Sequence, residues 1–96
     1  MAEARGSVSG PNDKHQVMFY GLSTCIWCKR TRQFLEGSGV RFDYVYVDLL
    51  HGKEREAVVK EVRRWNPRTN FPTVVVDASK VVIGYRPDDL REVLEL

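Results

Sequence analysis

The sequence is short of cysteine, of proline and of long apolar runs, and each shortage narrows what the chain can be. Two of its 96 residues are cysteine, too few for the disulfide framework of a small secreted scaffold. Four prolines and seven glycines fall far below the share of a collagen-like or low-complexity chain. The aliphatic runs stop at three residues, as in Val74-Val75-Val76, which excludes a transmembrane helix of about 20 apolar residues. No apolar stretch follows Met1, so a secretory leader is not expected. Excess charge is missing too. Fifteen Lys and Arg against thirteen Asp and Glu leave +2, without the concentrated basic patch that nucleic-acid binding needs. What remains is the composition of one ordinary globular domain. It is expected as a monomer in a reducing cytoplasm, engaging neither nucleic acid nor membrane.

Residues 1–15 carry Gly, Ser, Pro and charge, with Val8 the one sizeable apolar side chain. They read as a flexible tail that cannot bury enough surface to offset its ordering entropy. The domain is then 16–96. Gln16 to Tyr20 reads as a buried strand ended by Gly21, and Leu22-Ser23-Thr24 as a loop with capping residues before Cys25. A helix is expected from Cys25 to about Glu36, with Cys28, Thr31, Phe34 and Leu35 on its apolar side and Lys29, Arg30, Arg32 and Gln33 toward water. Arg41 to Asp48 is aromatic and β-branched, a second strand. Lys53 to Trp65 reads as a second helix, its stripe Ala57, Val58, Val62 and Trp65, and Asn66-Pro67 ends it. Pro72 to Asp77 and Lys80 to Ile83 read as a hairpin. Pro87 suits the start of a last helix, with Asp88 and Asp89 at its positive end. The order is βαβαββα, an α/β chain with a four-stranded mixed sheet and about three helices.

The chemistry concentrates in Cys25-Ile26-Trp27-Cys28 at the strand-to-helix turn. At a helix start, residues three apart bring their sulfurs within reach of a disulfide. The first sulfur sits where unpaired amides and the dipole favour a thiolate, with Lys29, Arg30 and Arg32 nearby. The second lies a turn inside and stays a thiol until needed. Cys-x-x-Cys is also half of a zinc site. Zinc asks for about four ligands, however, and His15 and His51, the remaining soft donors, show no ligand spacing and read as solvated. Phe71-Pro72-Thr73 then places a proline at the head of a strand, where its missing donor breaks no ladder.

With these motifs assembled, residues 16–96 resemble the glutaredoxin family within the thioredoxin fold. Phe19-Tyr20-Gly21 leads into Cys25-x-x-Cys28, followed by Phe71-Pro72-Thr73 and by Gly84-Tyr85-Arg86-Pro87-Asp88-Asp89. The resemblance implies a thiol–disulfide oxidoreductase that reduces protein or glutathione mixed disulfides by a dithiol route. Cys25 attacks the substrate disulfide, and Cys28 releases the reduced substrate. Pro72 is implied to be cis, with the Phe71 backbone pairing the substrate as a short added strand. Arg68 matches a residue that helps hold a glutathione carboxylate, and Asp88 and Asp89 match a pair that contacts its γ-glutamyl end. Trp27 reads either as a flat recognition surface beside Cys25 or as helix packing, and Tyr85 either stacks on a ligand or simply packs. No tightly bound cofactor is implied; glutathione enters as a co-substrate.

The departures from that pattern concern the donor. Ile26-Trp27 replaces Pro-Tyr, and Asn70-Phe71-Pro72 replaces Thr-Val-Pro. Gly84-Tyr85-Arg86-Pro87-Asp88 is similar to the Gly-Phe-Arg-Pro-Asp of redoxins reduced by thioredoxin reductase. The electron donor is therefore either glutathione or thioredoxin reductase. A reading of another class is an iron–sulfur or metal carrier using Cys25 with ligands from an external thiol or a second chain.

Overall fold

The computed structural model describes residues 3–96. Its strands are β1 (Arg5–Val8), β2 (Val17–Gly21), β3 (Phe42–Tyr46), β4 (Thr73–Val76) and β5 (Lys80–Ile83). Its helices are α1 (Ile26–Gly37), α2 (Gly52–Trp65) and α3 (Pro87–Val93), with a short 3-10 turn over Val47–Leu49 directly after β3. The strands lie in the order β1-β3-β2-β4-β5. β2 and β3 are parallel, Phe19 opposite Tyr44, because α1 carries the chain back to the same end of the sheet. The remaining pairs are antiparallel. Among the described residues no helix is long and apolar enough to cross a membrane.

The alternation of strand side chains divides the core in two. Val17, Phe19, Phe42, Tyr44, Tyr46, Val74 and Val76 face α1 and α3, meeting Cys28, Leu35, Leu90 and Leu94. Tyr20, Val45 and Val75 point the other way, onto Val58 and Val62 of α2. The active turn thus hangs from the end of the central strand β2. Gly21 makes room for the Phe19 ring: a Cβ there would stand 2.8 Å from it, and in ordinary contact with the Cys28 Cβ at 3.4 Å.

Several details differ from the expectations. The sheet has five strands rather than four, because part of the supposed tail is β1. Residues 1 and 2 of that tail lie outside the described residues. Arg5–Val8 pairs antiparallel with β3, the Tyr46 N–H donates to the Ala4 carbonyl, and Asn12 bridges to Val40. A ladder is built from main-chain groups, so the polar side chains of Arg5 and Ser7 do not oppose it. Gly6 lies against the Tyr44 ring, and Ser7 and Arg5 are tied to Asp43 and Glu54.

On α2, Ala57 is exposed, and Val59 rather than Ala57 flanks Val58 and Val62. Trp65 is half-buried at the rim of the same cluster. Arg32 does not simply face water. Its guanidinium lies 4.4 Å from the Tyr44 ring centroid and donates to the Tyr46 hydroxyl at 2.8 Å, a cation on an aromatic face. His15 is not a solvated residue either. Its side chain is 12% exposed, with Nδ1 2.7 Å from Asp77, so it ties the N-terminal segment to the β4–β5 turn; Nε2 lies 3.0 Å from Glu95 without forming a hydrogen bond.

A chain shortened to begin at Ser9 loses β1 and leaves the β3 edge bare. It should keep its helices and its thiol chemistry but unfold at a lower urea concentration; an unchanged midpoint would show that β1 contributes nothing to stability.

Candidate functional site

β2 ends at Gly21 and α1 begins at Ile26, so the intervening loop must turn the chain within four residues. The Cys25 N–H closes that turn on the Leu22 carbonyl at 3.2 Å. Cys25 itself, with φ −88° and ψ 120°, is the cap of α1. Its Sγ accepts the Cys28 N–H at 3.2 Å, the amide that an N-cap side chain is placed to receive. Ser23 and Thr24, expected to cap, do not. Ser23 turns instead to Asp48 on the 3-10 turn: its N–H donates to Oδ1 at 2.8 Å and its hydroxyl donates to Oδ2. Burial alone would raise the Asp48 carboxyl. The two Ser23 hydrogen bonds, with Arg55 nearby, outweigh that and hold it below its ordinary value.

The cysteines are both free thiols and occupy unlike environments. Cys25 is half-exposed and borders a cleft of about 360 Å³ shared with Lys29, Arg32 and Tyr46. The first turn of α1 holds no acidic residue, and deeper in the cleft Arg32 pairs with Glu36 at 3.1 Å. Cys28 is 1% exposed. Burial pushes its thiol up to about 12. The hydrogen bond with Cys25 adds to the rise, and the Leu22 N–H, 3.4 Å from Cys28 Sγ, opposes it.

On the other side of β2, next to β4, lies a second depression, which Trp27 of α1 borders and neither cysteine lines. The second is a groove of about 640 Å³ lined by Trp27, Arg68, Phe71, Pro72 and Tyr85, together with Asn66 and Arg86. The Phe71–Pro72 peptide is cis. The Pro72 carbonyl accepts the Gly84 N–H at 2.8 Å, and Gly84 holds φ +84°, a conformation that only glycine adopts freely. Trp27, 53% exposed, stacks on Tyr85 with centroids 6.1 Å apart and planes at 19°. Arg30 covers the indole at 5.4 Å.

Five of the seven residues expected to flank the cysteines therefore meet in one groove. Asp88 and Asp89 do not join them. Both are exposed in the first turn of α3, and Asp88, its side chain 97% exposed, pairs with Arg91 at 2.8 Å. Pro87 starts the helix one position before the acids, and they serve its positive end.

Sequence reasoning missed Asn66, read only as a helix stop. It is 1% exposed. Its Nδ2 donates to the Asn70 carbonyl and side-chain oxygen and to Thr73 Oγ1, at 2.9, 2.6 and 3.0 Å. It thereby fixes the loop that delivers Phe71 and Pro72. A buried Asn among turn residues carries no sequence signature; its partners become visible only once the loop closes on itself. Among the described residues no three His, Cys, Asp or Glu side chains gather as a metal site. A metal held by these cysteines would need donors from outside the chain.

The comparisons with known proteins agree with this geometry. The family model described as Glutaredoxin matches residues 17–81. The crystal structure of a glutaredoxin from Methanosarcina mazei superposes with a TM-score of 0.91 at 48% identity, covering 98% of this chain and 90% of that one. Methanoredoxin from Methanosarcina acetivorans gives a TM-score of 0.91 at 40% identity, covering 97% and 98%. The Gene 56 protein of Mycobacterium phage D29 is 32% identical over 79 residues, 82% of each chain.

The contrast between the two sulfurs sets a labelling order. Brief treatment of the reduced protein with iodoacetamide near neutral pH should place the adduct on Cys25 and spare Cys28, as read by peptide mass spectrometry. Equal labelling would contradict the burial and the raised pKa described for Cys28.

Proposed function

Since the chain belongs to the glutaredoxin family, we propose that it reduces disulfides of protein substrates by a dithiol route, with Cys25 as nucleophile and Cys28 as resolving thiol. The observation that carries this reading is the cap of α1: one half-exposed sulfur at a helix start, the other buried one turn inside, joined through the Cys28 N–H at 3.2 Å. Cys25 as thiolate attacks one sulfur of the substrate. A Cys25–substrate disulfide forms, the substrate's own disulfide breaks, and its other sulfur leaves as a thiolate that takes a proton from water. Cys28 then attacks Cys25 Sγ, forming the internal disulfide and expelling the second substrate thiolate. Two electrons have passed to the substrate, and an external donor returns them.

The groove on the β4 side is the natural seat of the substrate. Phe71 and Pro72 present main chain to an extended segment, and β-strand addition of this kind gives affinity without demanding a sequence. Trp27 and Tyr85 supply an aromatic wall, and Arg68 and Arg86 a positive rim that suits acidic side chains. Of the two donors that the sequence left open, the arrangement favours a thioredoxin-reductase type over glutathione. The acidic pair that would meet the γ-glutamyl end stands outside the groove, with Asp88 engaged by Arg91.

Turnover of a protein disulfide should vanish in Cys25→Ser. Cys28→Ser should accumulate a mixed disulfide visible in the intact mass. Full activity of Cys25→Ser would overturn the mechanism. In the same assay, thioredoxin reductase should support faster turnover than glutathione with glutathione reductase; the reverse ranking would reassign the donor and leave the chemistry at Cys25 in place.

A further inference from the structure

Two neighbouring amides in the loop before Cys25 point at different acceptors. The Leu22 N–H faces Cys28 Sγ at 3.4 Å, and the Ser23 N–H faces Asp48 Oδ1 at 2.8 Å. The Ser23 hydroxyl completes a two-point grip on the same carboxylate. Asp48 belongs to the 3-10 turn at the end of β3, so this contact fastens the active loop to the strand beside it. Attack by Cys25 makes no use of it. The Leu22 N–H lies on the Gly21–Leu22 peptide at the end of β2 and the Ser23 N–H on the next peptide, so the grip on Ser23 fixes the chain on the far side of Leu22.

We propose that Asp48 is a positioning residue for ring closure: by gripping Ser23 at two atoms it holds the adjoining Leu22 N–H against Cys28 Sγ, where the amide stabilises the thiolate that Cys28 must form. The proposal rests on the dithiol reading above. In the step concerned, Cys28 gives its proton to water, its sulfur forms a bond to Cys25 Sγ, and the bond from Cys25 to the substrate sulfur breaks with the electron pair leaving on that sulfur. A buried anion forms at Cys28 during this step, and a charge taken out of water needs a donor. The groups that face Cys28 are few. The helix start brings Cys25, the loop brings the Leu22 amide, and the 3-10 turn brings the Asp48 charge, itself faced by Arg55 of α2. β2 brings Phe19 and Gly21, which do not ionise, and β3 brings Tyr44 and Tyr46 into the same cluster. The Asp48 charge disfavours the Cys28 thiolate, while the Leu22 amide favours it and is the larger of the two influences.

The test is stopped-flow reduction of dithiobis(nitrobenzoate) by the fully reduced protein, whose coloured thiolate reports each step. The first equivalent is released by Cys25 attack, the second by Cys28 closing the ring. In Asp48→Ala and in Ser23→Ala the second release should slow about tenfold, the size of one hydrogen bond to a charged group. Its pH profile should move to higher pH, while the first release is little changed. Asp48→Asn keeps an acceptor for Ser23 and should restore the second release to within about threefold of the wild type. A merely structural role would slow both releases together and leave the pH profile where it is. Should Asp48→Ala fail to fold by circular dichroism, Ser23→Ala carries the same reading. The proposal is overturned if the alanine variants keep the wild-type second release and profile, or if Asp48→Asn is as slow as Asp48→Ala. A wild type that releases one equivalent only would overturn the dithiol reading itself, and the proposal with it; two equivalents with unaffected variants would overturn the proposal alone.

Discussion

One hydrogen bond organises this molecule: the Cys28 N–H given to Cys25 Sγ at 3.2 Å. It exists only if α1 starts immediately after Cys25, with Cys25 still extended and Cys28 already helical. That requirement reaches backward to Gly21, the last residue of β2, where a side chain would run into the Phe19 ring. It reaches forward to the buried stripe of Cys28, Thr31 and Leu35 that seats α1 on the sheet. A helix cap made of sulfur gives the exposed thiol a fixed place and points the buried thiol toward it, so the local fold and the chemistry are the same feature.

Around that pair the fold divides labour between the two neighbours of β2. The β3 side provides the 3-10 turn with Asp48, and the cleft with Lys29, Arg32 and Tyr46. The β4 side provides Phe71 and Pro72, held by the Asn66 hydrogen bonds and by the Gly84 N–H on the Pro72 carbonyl. Neither side is assembled from contiguous sequence. Each is set by sheet order, which places these loops at the carboxyl end of the parallel pair, where open α/β sheets carry their sites.

Much of this was legible beforehand, for reasons tied to particular residues. β2 to β5 announce themselves as β-branched and aromatic runs between glycines and turns, and α1 to α3 as apolar stripes, α2 with a stop at Asn66-Pro67. Cys25, Cys28 and Pro72 were legible because their chemistry or their backbone restricts where they can stand. β1 was not. Its residues are polar and glycine-containing, and its pairing with β3 uses main-chain groups that composition does not display. Ser23 looked like a cap because serine before a helix usually is one; its real partner is 25 positions away. Asp88 and Asp89 were read through a spacing that the intervening Arg86-Pro87 displaces, and Pro87 fixes where α3 begins. His15 gave no hint of the two carboxylates that meet it, since Asp77 and Glu95 arrive from distant turns.

The account stands or falls on the two sulfurs acting as a reversible pair. Equilibration of the protein in buffers of graded thiol–disulfide potential, followed by intact-mass analysis, tests this directly. A single two-electron transition is expected, with a loss of mass of two protons on oxidation and a midpoint between about −200 and −270 mV, the span from glutaredoxins to thioredoxin. An oxidised form in which Cys25 carries an external adduct while Cys28 stays reduced, at every potential tried, would contradict it.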